Sequence, residues 1–481
     1  MDRLKKLLRY LKNYKKECVL APLFKMLEAL FELFVPLVMT LIIDTGIGQS
    51  DTPLILRCAV LLVALGIIGL VCSLTAQYFS ARAAVGFSAR VRLALFAHVH
   101  ELSYTELDTL GSSGVITRLT SDINQVQAGV NLVLRLFMRS PFVVFGAMIM
   151  AFTVDVKGAI TFVVVIPLLS LVVFGVMLLT MPLYKKVQQR LDAVLRQTRE
   201  NLSGVRVIRA FNRQEAETAT FAENTDLLLT AQVKAGRLSA LMNPLTYVIV
   251  NGGIVALLYT GALQVDGGAL TCGAVIALVN YMSQILVELV KLANLIITVT
   301  KAWACGDRIQ AVLDTPTSMS VPTEPITVSD AKRGTVAFQN VTLTYKGAGS
   351  EALSPLSFSA APGETIGVIG GTGSGKTSLV NLIPRFYDAT DGTVLVNGVD
   401  VREQDIEALR DQIGIVPQKA VLFKGTIRSN LLWGNPHATD DQLWRALEQA
   451  QAKDLWRKSP AVWTARWRRA ARISPAVSVN G

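Results

Sequence analysis

Gly370-Gly371-Thr372-Gly373-Ser374-Gly375-Lys376-Thr377 is the stretch around which the chain is organised, and it has the pattern Gly-x-x-x-x-Gly-Lys-Ser/Thr. Before it, the apolar run 365–369 is rich in β-branched residues and predicts a strand. After it, segment 378–383 has apolar residues at helical spacing. Glycines between a strand and a helix let backbone N–H groups surround a phosphate, and the helix N-terminus adds its positive dipole. The stretch therefore predicts a nucleotide-phosphate loop.

Specific roles follow from the order of residues in such a loop. The lysine of the pattern reaches the β- and γ-phosphates, and the hydroxyl that follows it binds Mg²⁺. We therefore predict that Lys376 contacts ATP and that Thr377 is a magnesium ligand. The predicted phosphate-binding residues are Gly370, Gly371, Thr372, Gly373, Ser374, Gly375, Lys376, Thr377 and Ser378. A glycine-rich turn with a chance Lys-Thr pair is the simpler alternative, and the flanking strand and helix patterns disfavour it.

The composition is that of a membrane protein. Of 481 residues, 51% are hydrophobic and only 17% are charged, against about 25% charged in soluble domains. The net charge is +11, but the basic residues lie beside apolar runs, which indicates membrane topology and not nucleic-acid binding. The five cysteines have no metal-ligand spacing and are expected to be buried or lipid-facing thiols.

Six apolar stretches are long enough to cross a bilayer, which takes about 20 residues. They lie near 19–43, 55–80, 133–153, 158–181, 241–264 and 269–298. The connections 81–132 and 182–240 are long, basic and helix-periodic, whereas the others are short. By the positive-inside rule, the long connections, both termini and the nucleotide-binding part are cytoplasmic. The sequence thus predicts a multi-pass integral membrane protein whose helices extend past the membrane on one side.

Further segments flank the predicted membrane domain, 18–310. Residues 1–17 form a basic amphipathic helix, suited to an anionic membrane surface or serving as a positive flank of the first span. Segment 311–334 is rich in Pro, Thr and Ser and predicts a linker. Segment 335–454 predicts the first part of a nucleotide-binding domain, with strands at 393–396 and 413–416 and a hairpin turn at Asn397-Gly398. The fold class is a membrane α-helical domain joined to an α/β P-loop domain that is incomplete at its C-terminus.

Polar residues inside two spans are candidates for function. In the first span Lys25, Glu28 and Glu32 share one helix face, which predicts either an internal Lys–Glu ion pair or contact with a substrate.

In the sixth span Asn280, Gln284 and Glu288 recur at four-residue spacing. This stripe predicts either the wall of a water-filled translocation path or a polar seam between helices, and the residues alone leave both open.

With this layout, the chain resembles the ABC transporter half-exporters of the multidrug and lipid-exporter type. The resemblance runs from residue 1 to about 454. Besides the phosphate loop, it rests on two segments of the long connections, 113–122 and 200–215, and on three segments of the soluble domain, 341–345, 415–418 and 423–431.

The resemblance implies a function and further site residues. Tyr345 would stack on adenine, and Gln418 would reach Mg²⁺ and touch the transmembrane loops. Two half-transporters, identical or different, would clamp ATP between them and export a hydrophobic or amphipathic substrate from a bacterial cell, using ATP hydrolysis. The expected surroundings are membrane lipid, and no nucleic-acid partner is implied.

The chain departs from the family after residue 454. It has no Leu-Ser-Gly-Gly-Gln signature, no apolar strand ending in Asp-Glu and no later histidine than His437, so no catalytic residue is identifiable. A catalytically dead membrane protein with weak ATP binding is therefore the alternative function. A membrane-tethered P-loop kinase is disfavoured by Tyr345 and Gln418.

The tail 455–481 suggests a reason for this departure. It is rich in Arg, Trp and Ala and has no acidic residue. Synonymous codons for Arg472 to Gly481, read one base earlier, can spell Asn-Leu-Ser-Gly-Gly-Gln-Arg-Gln-Arg. We therefore hypothesise a frameshift near Leu455 that truncates the exporter sequence. Sequencing the DNA of codons 450–481 tests this: codons that do not spell the signature one base back refute it.

Overall fold

A helical bundle and a small sheet domain make up the chain. The structure, a computed structural model, describes residues 6–320, 322, 324–326, 332–418 and 421–452. The tail 455–481, residues 1–5 of the predicted N-terminal helix and part of the predicted linker lie outside the described residues.

Among those residues, six helical stretches are long and apolar enough to cross a membrane, as the sequence predicts. In chain order the first to sixth spans are Lys6–Ile47, Thr52–Glu101, Ser112–Val154, Val156–Ser203, Gln214–Asp266 and Cys272–Leu313.

The helices of the bundle are long, and several run far beyond a bilayer. They are α1 (Lys15–Leu41), α2 (Thr52–Glu101), α3 (Tyr104–Leu110), α4 (Ser112–Thr117), α5 (Ile123–Leu136), α6 (Arg139–Val154), α7 (Val156–Ser203), α8 (Val205–Ala210), α9 (Gln214–Ala240), α10 (Met242–Asp266) and α11 (Cys272–Leu313). The 50 residues of α2 correspond to about 75 Å at a rise of about 1.5 Å per residue, against about 30 Å of hydrocarbon. The predicted helical extensions of the spans are therefore confirmed.

Short capped turns join the spans at the end of the bundle away from the sheet domain. Asp51 accepts a hydrogen bond from the Leu54 backbone N–H at 3.0 Å and so caps α2. Asp155 caps α7 in the same way at 2.6 Å from Gly158 N, and it also accepts from Gln264 at 3.1 Å. These carboxylates satisfy N–H groups that the first turn of a helix leaves unpaired.

Two apolar clusters hold the bundle together. One lies among the spans, where the buried Tyr281 donates its hydroxyl to the Leu33 carbonyl at 2.7 Å. The other lies toward the sheet domain and contains Leu7, Phe87 and Ile309. Because Leu7 is fully buried there, the N-terminal segment packs on α2 and α11.

The sheet domain has four antiparallel strands in the order β2-β1-β3-β4. They are β1 (Val336–Leu343), β2 (Leu353–Ala360), β3 (Asp391–Val396) and β4 (Val399–Asp400), with helices α12 (Lys376–Leu382), α13 (Ile406–Asp411), α14 (Ile427–Leu431) and α15 (Asp440–Gln449). The predicted turn is confirmed: Asn397 and Gly398, with φ of 56° and 78°, join β3 to β4. Two positive φ values are the requirement of this type of two-residue hairpin.

Two predicted strands are wrong. Neither 365–369 nor 413–416 forms a strand, and the side chains of Ile369 and Val416 are 98% and 97% exposed. A strand needs a neighbour that pairs its N–H and C=O groups, and within the described residues these segments have none. The apolar patterns were real, but pairing decides whether such a run becomes a strand.

Candidate functional site

The predicted phosphate loop leads directly into a helix. Helix α12 begins at Lys376, immediately after Gly375, whose φ is +83°. The Lys376 ammonium folds back over the loop and donates to the carbonyl oxygens of Gly370 at 2.8 Å and Gly371 at 2.6 Å. The loop therefore holds a cation at the N-terminus of a helix, where an anionic phosphate is favoured.

Gly375 is a position where the loop needs glycine. A Cβ added there would lie 2.5 Å from the Ala352 carbonyl oxygen, and its positive φ disfavours other residues. We expect Gly375→Ala to lower the free energy of unfolding by about 1–3 kcal/mol and to weaken ATP binding. The measurement is thermal unfolding of the purified chain with and without ATP. Gly349→Ala is the control, because a Cβ there meets nothing within 4 Å; equal effects of both variants contradict the argument.

Tyr345 lies beside the loop. Its hydroxyl and that of Ser378, in the first turn of α12, are 2.8 Å apart. The Tyr345 ring also meets the Tyr387 ring edge-on, with 5.1 Å between centroids. An aromatic ring is thus fixed next to the phosphate loop, and its stacking on adenine stays a prediction.

The predicted magnesium ligands are Thr377 and Gln418. Both side chains are exposed, and neither has a hydrogen-bond partner among the described residues. A hydroxyl and an amide oxygen are hard ligands of the kind that Mg²⁺ takes, together with phosphate oxygens and water. The residue types therefore fit the ion.

Aromatic residues connect this domain to the bundle. The Tyr387 hydroxyl donates to the Asp108 carboxylate of α3 at 2.7 Å. The Tyr104 ring, also of α3, lies 4.8 Å from the Phe386 ring and 5.9 Å from the Tyr387 ring, centroid to centroid. Burial and the Asp108 carboxylate raise the pKa of Tyr387 well above its usual value, so the phenol remains a donor at physiological pH.

Helix α3 is held firmly for this contact. Ser103 and Glu106 cap it reciprocally through side chain and backbone, and the Ser103 hydroxyl lies 3.0 Å from that of Ser318. Burial raises the pKa of the Glu106 carboxyl, but hydrogen bonds from Ser103 and Ser318 outweigh this and hold the pKa below its usual value. The carboxylate is therefore ionised at neutral pH and keeps its capping role.

A chain of charges crosses the inside of the bundle and joins α1, α6 and α11. Arg139 donates to Glu288 at 2.5 Å and to Glu32 at 2.6 Å. Glu288 also accepts from Ser140 and from Lys291, each at 2.8 Å. Each carboxylate thus faces a cation, as buried charges in a membrane require. We call Glu32, Arg139, Glu288 and Lys291 the charge chain.

The polar stripe of the sixth span lies partly in a seam between helices and also borders a cavity. Glu288 is buried in the charge chain and so belongs to a seam between helices. Asn280, Gln284 and Glu288 also line a cavity of about 480 Å³ between α1, α6 and α11. In the first span, the predicted ion pair forms between Lys25 and Glu28, at 2.6 Å. Whether the stripe contacts a substrate stays a prediction.

Sequence reasoning missed Arg139 and the contact of Tyr387 with Asp108. A signal existed for Arg139, because a charge within an apolar span needs a partner or contact with water. The sequence contains no comparable signal for Tyr387, since its partner lies 279 positions away.

Comparison with known proteins decides the family. A family described as "ABC transporter transmembrane region" matches residues 18–289, which is more than half of the chain, and one described as "ABC transporter" matches residues 353–466. The chain belongs to the ABC transporter family. Its first part is the membrane domain of an exporter-type transporter, and its second part is an ATP-binding domain.

Three relatives from Mycobacterium tuberculosis illustrate the range of similar proteins. An uncharacterized ABC transporter ATP-binding protein is 34% identical over 92% of this chain and 77% of its own length. A fatty acid ABC transporter ATP-binding/permease protein is 30% identical over 78% of this chain and 59% of its own length. A multidrug efflux ATP-binding/permease protein is 28% identical over 76% of this chain and 30% of its own length.

Proposed function

We propose that the chain is one half of an ATP-driven exporter that moves a hydrophobic or amphipathic compound out of the cell. Relatives that carry fatty acids or drugs support the substrate class. The family supports a dimer of two such halves, with Mg²⁺ at Thr377 and Gln418. We further propose that both termini and the sheet domain face the cytoplasm, which agrees with the basic connections on that side.

The observation that carries the proposal is an unbroken series of contacts from the phosphate loop to the membrane domain. Ser378 follows the loop and contacts Tyr345, whose ring meets Tyr387. Tyr387 in turn donates to Asp108 of α3, which directly follows the second span. A movement of the loop on binding ATP thus has a packed path to the spans. When magnesium is bound, it neutralises phosphate charge, while Lys376 and the loop N–H groups hold the phosphates in place.

Tyr387→Phe tests this path. We expect it to reduce stimulation of ATP hydrolysis by a transported compound several-fold, because it removes the hydrogen bond to Asp108 and leaves the ring packing intact. ATP affinity should change less than twofold. The measurement is hydrolysis in proteoliposomes with and without the compound, beside ATP binding. Tyr184→Phe, an exposed tyrosine of α7, is the control; a fully stimulated Tyr387→Phe variant contradicts the path.

The experiment for the whole proposal is vanadate-sensitive ATP hydrolysis and amphiphile transport by the purified chain in proteoliposomes. Hydrolysis that depends on Lys376 and is coupled to transport supports an exporter. ATP binding without hydrolysis or transport overturns it for this chain.

A second candidate function is a membrane protein that binds ATP but does not hydrolyse it. The exposed side chains of Ile369 and Val416 favour this second function. They show that the segments beside the phosphate loop are not packed into a sheet. The frameshift hypothesis connects the two candidates: under this second candidate, a version with the reading frame restored near Leu455 hydrolyses ATP, whereas the chain as written only binds it. Hydrolysis by the chain as written contradicts the second candidate.

A further inference from the structure

We infer that a cavity between α1 and α2 binds the cationic group of a lipophilic substrate. The inference rests on the proposed export function and names the chemistry of its substrate. The cavity has a volume of about 490 Å³ and is distinct from the one beside Asn280, although both include Glu32 and Val35. We call it the α1–α2 cavity.

Most of its wall is apolar. Phe31 and Val35 of α1 face Leu62, Leu65 and Leu70 of α2. Such a surface favours a hydrocarbon or aromatic ligand by removing apolar area from water. The Phe31 ring adds a π face, which attracts a cation within about 6 Å of its centroid.

The ionised groups most accessible in this wall are carboxylates. The Glu32 side chain is 45% exposed, and that of Glu28, one helical turn away, is 17% exposed. The cations near them are buried deeper, with side-chain exposures of 7% for Arg139 and 9% for Lys25. The groups that meet a ligand are therefore mainly negative, although the whole cluster is balanced in charge.

Those cations are also engaged. Both terminal nitrogens of Arg139 donate to the carboxylates of the charge chain. Lys25 donates to Glu28 and to Ser73 at 3.1 Å. An anionic ligand would have to displace an existing carboxylate to reach either cation, at the cost of an unpaired buried charge. A cationic ligand needs only to add itself beside Glu28 and Glu32.

Two glycines make the cavity adjustable by experiment. Gly66 and Gly69 of α2 line it, and a Cβ added at either meets nothing within 4 Å. Leucine at position 69 would therefore add bulk to this cavity, and its Cβ would meet no neighbouring atom. Gly175 of α7 offers a matched control, since a Cβ there also meets nothing and it does not line this cavity.

The test uses two probes of nearly equal size and opposite charge, tetraphenylphosphonium and tetraphenylborate. Binding of each labelled probe to the purified chain in detergent is measured without nucleotide. Saturable binding is the fraction of bound label that excess unlabelled probe displaces. We expect the cation to bind at least tenfold more tightly than the anion. Gly69→Leu should weaken cation binding at least tenfold, and Gly175→Leu should leave it unchanged.

A second variant tests the charge itself. Lys25→Met with Glu28→Gln removes a carboxylate together with its paired cation, so no buried charge is stranded, and cation binding should again fall at least tenfold. Equal binding of the two probes, or full cation binding by Gly69→Leu or by the double variant, overturns the inference. ATP binding, measured in parallel, reports folding of each variant. Probe binding needs no ATP, so its result is independent of whether the chain hydrolyses ATP or transports a compound. Failure of this inference can therefore be distinguished from failure of the proposed export function.

Discussion

Replacing Lys376 with alanine is expected to weaken ATP binding by the purified chain at least tenfold and to abolish any ATP hydrolysis in proteoliposomes. Its ammonium now donates to two carbonyl oxygens of its own loop, at 2.8 and 2.6 Å. Phosphate oxygens carry more negative charge than carbonyls, so the same donors bind them more strongly. Hydrogen bonds to a charged partner contribute about 1.5–3 kcal/mol each, and about 1.4 kcal/mol corresponds to a factor of ten.

The measurement is equilibrium titration with a fluorescent ATP analogue, followed by hydrolysis assays. Lys301→Ala removes the same charge from an exposed position on α11 and should leave ATP affinity within twofold. Wild-type affinity in the Lys376→Ala variant would mean that the loop does not hold the phosphates. A lowered thermal unfolding midpoint would show that Lys376→Ala has lost its fold. In that case Lys376→Arg is the second variant: it keeps the positive charge and should retain part of the ATP binding.

Patterns within one segment of sequence predicted much of the fold. The six spans, the helical extensions of α2 and α7 and the Asn397-Gly398 turn depend on local hydrophobicity and backbone preference, and all are found in the structure. The phosphate loop is similarly local, because its glycines and its lysine lie within eight consecutive residues.

Features that depend on distant partners could not be predicted. Segments 365–369 and 413–416 have the composition of buried strands, but no local property supplies the neighbouring strand that would pair with them. The spacing of Lys25, Glu28 and Glu32 predicted one helix face, whereas the partner of Glu32 comes from α6. Likewise, four-residue spacing placed Asn280, Gln284 and Glu288 on one stripe beside a cavity, but only packing shows that Glu288 is buried and paired with Arg139 of α6.

Arg139→Met is expected to destabilise the bundle more than any single change in an exposed ion pair. The substitution leaves the buried Glu288 with Lys291 and Ser140 and leaves Glu32 without its only ion-pair partner among the described residues. Removing one member of a buried pair costs about 3–5 kcal/mol of unfolding free energy, because the other charge stays buried. Arg428, in the exposed pair with Asp440, is the control, and Arg428→Ala should cost about 0–1 kcal/mol.

Adding Glu288→Gln to Arg139→Met separates a stranded charge from lost packing. The double variant has no buried charge in the seam, and its amide can still accept from Ser140, so it should recover most of the lost stability. Unfolding of the chain in detergent, followed by heat or denaturant, measures all three variants. If the double variant is as unstable as Arg139→Met, then the arginine acts by filling space between α1, α6 and α11. Recovery would mean that folding does not require the charge chain. Its position beside both cavities would then be explained by contact with the transported compound.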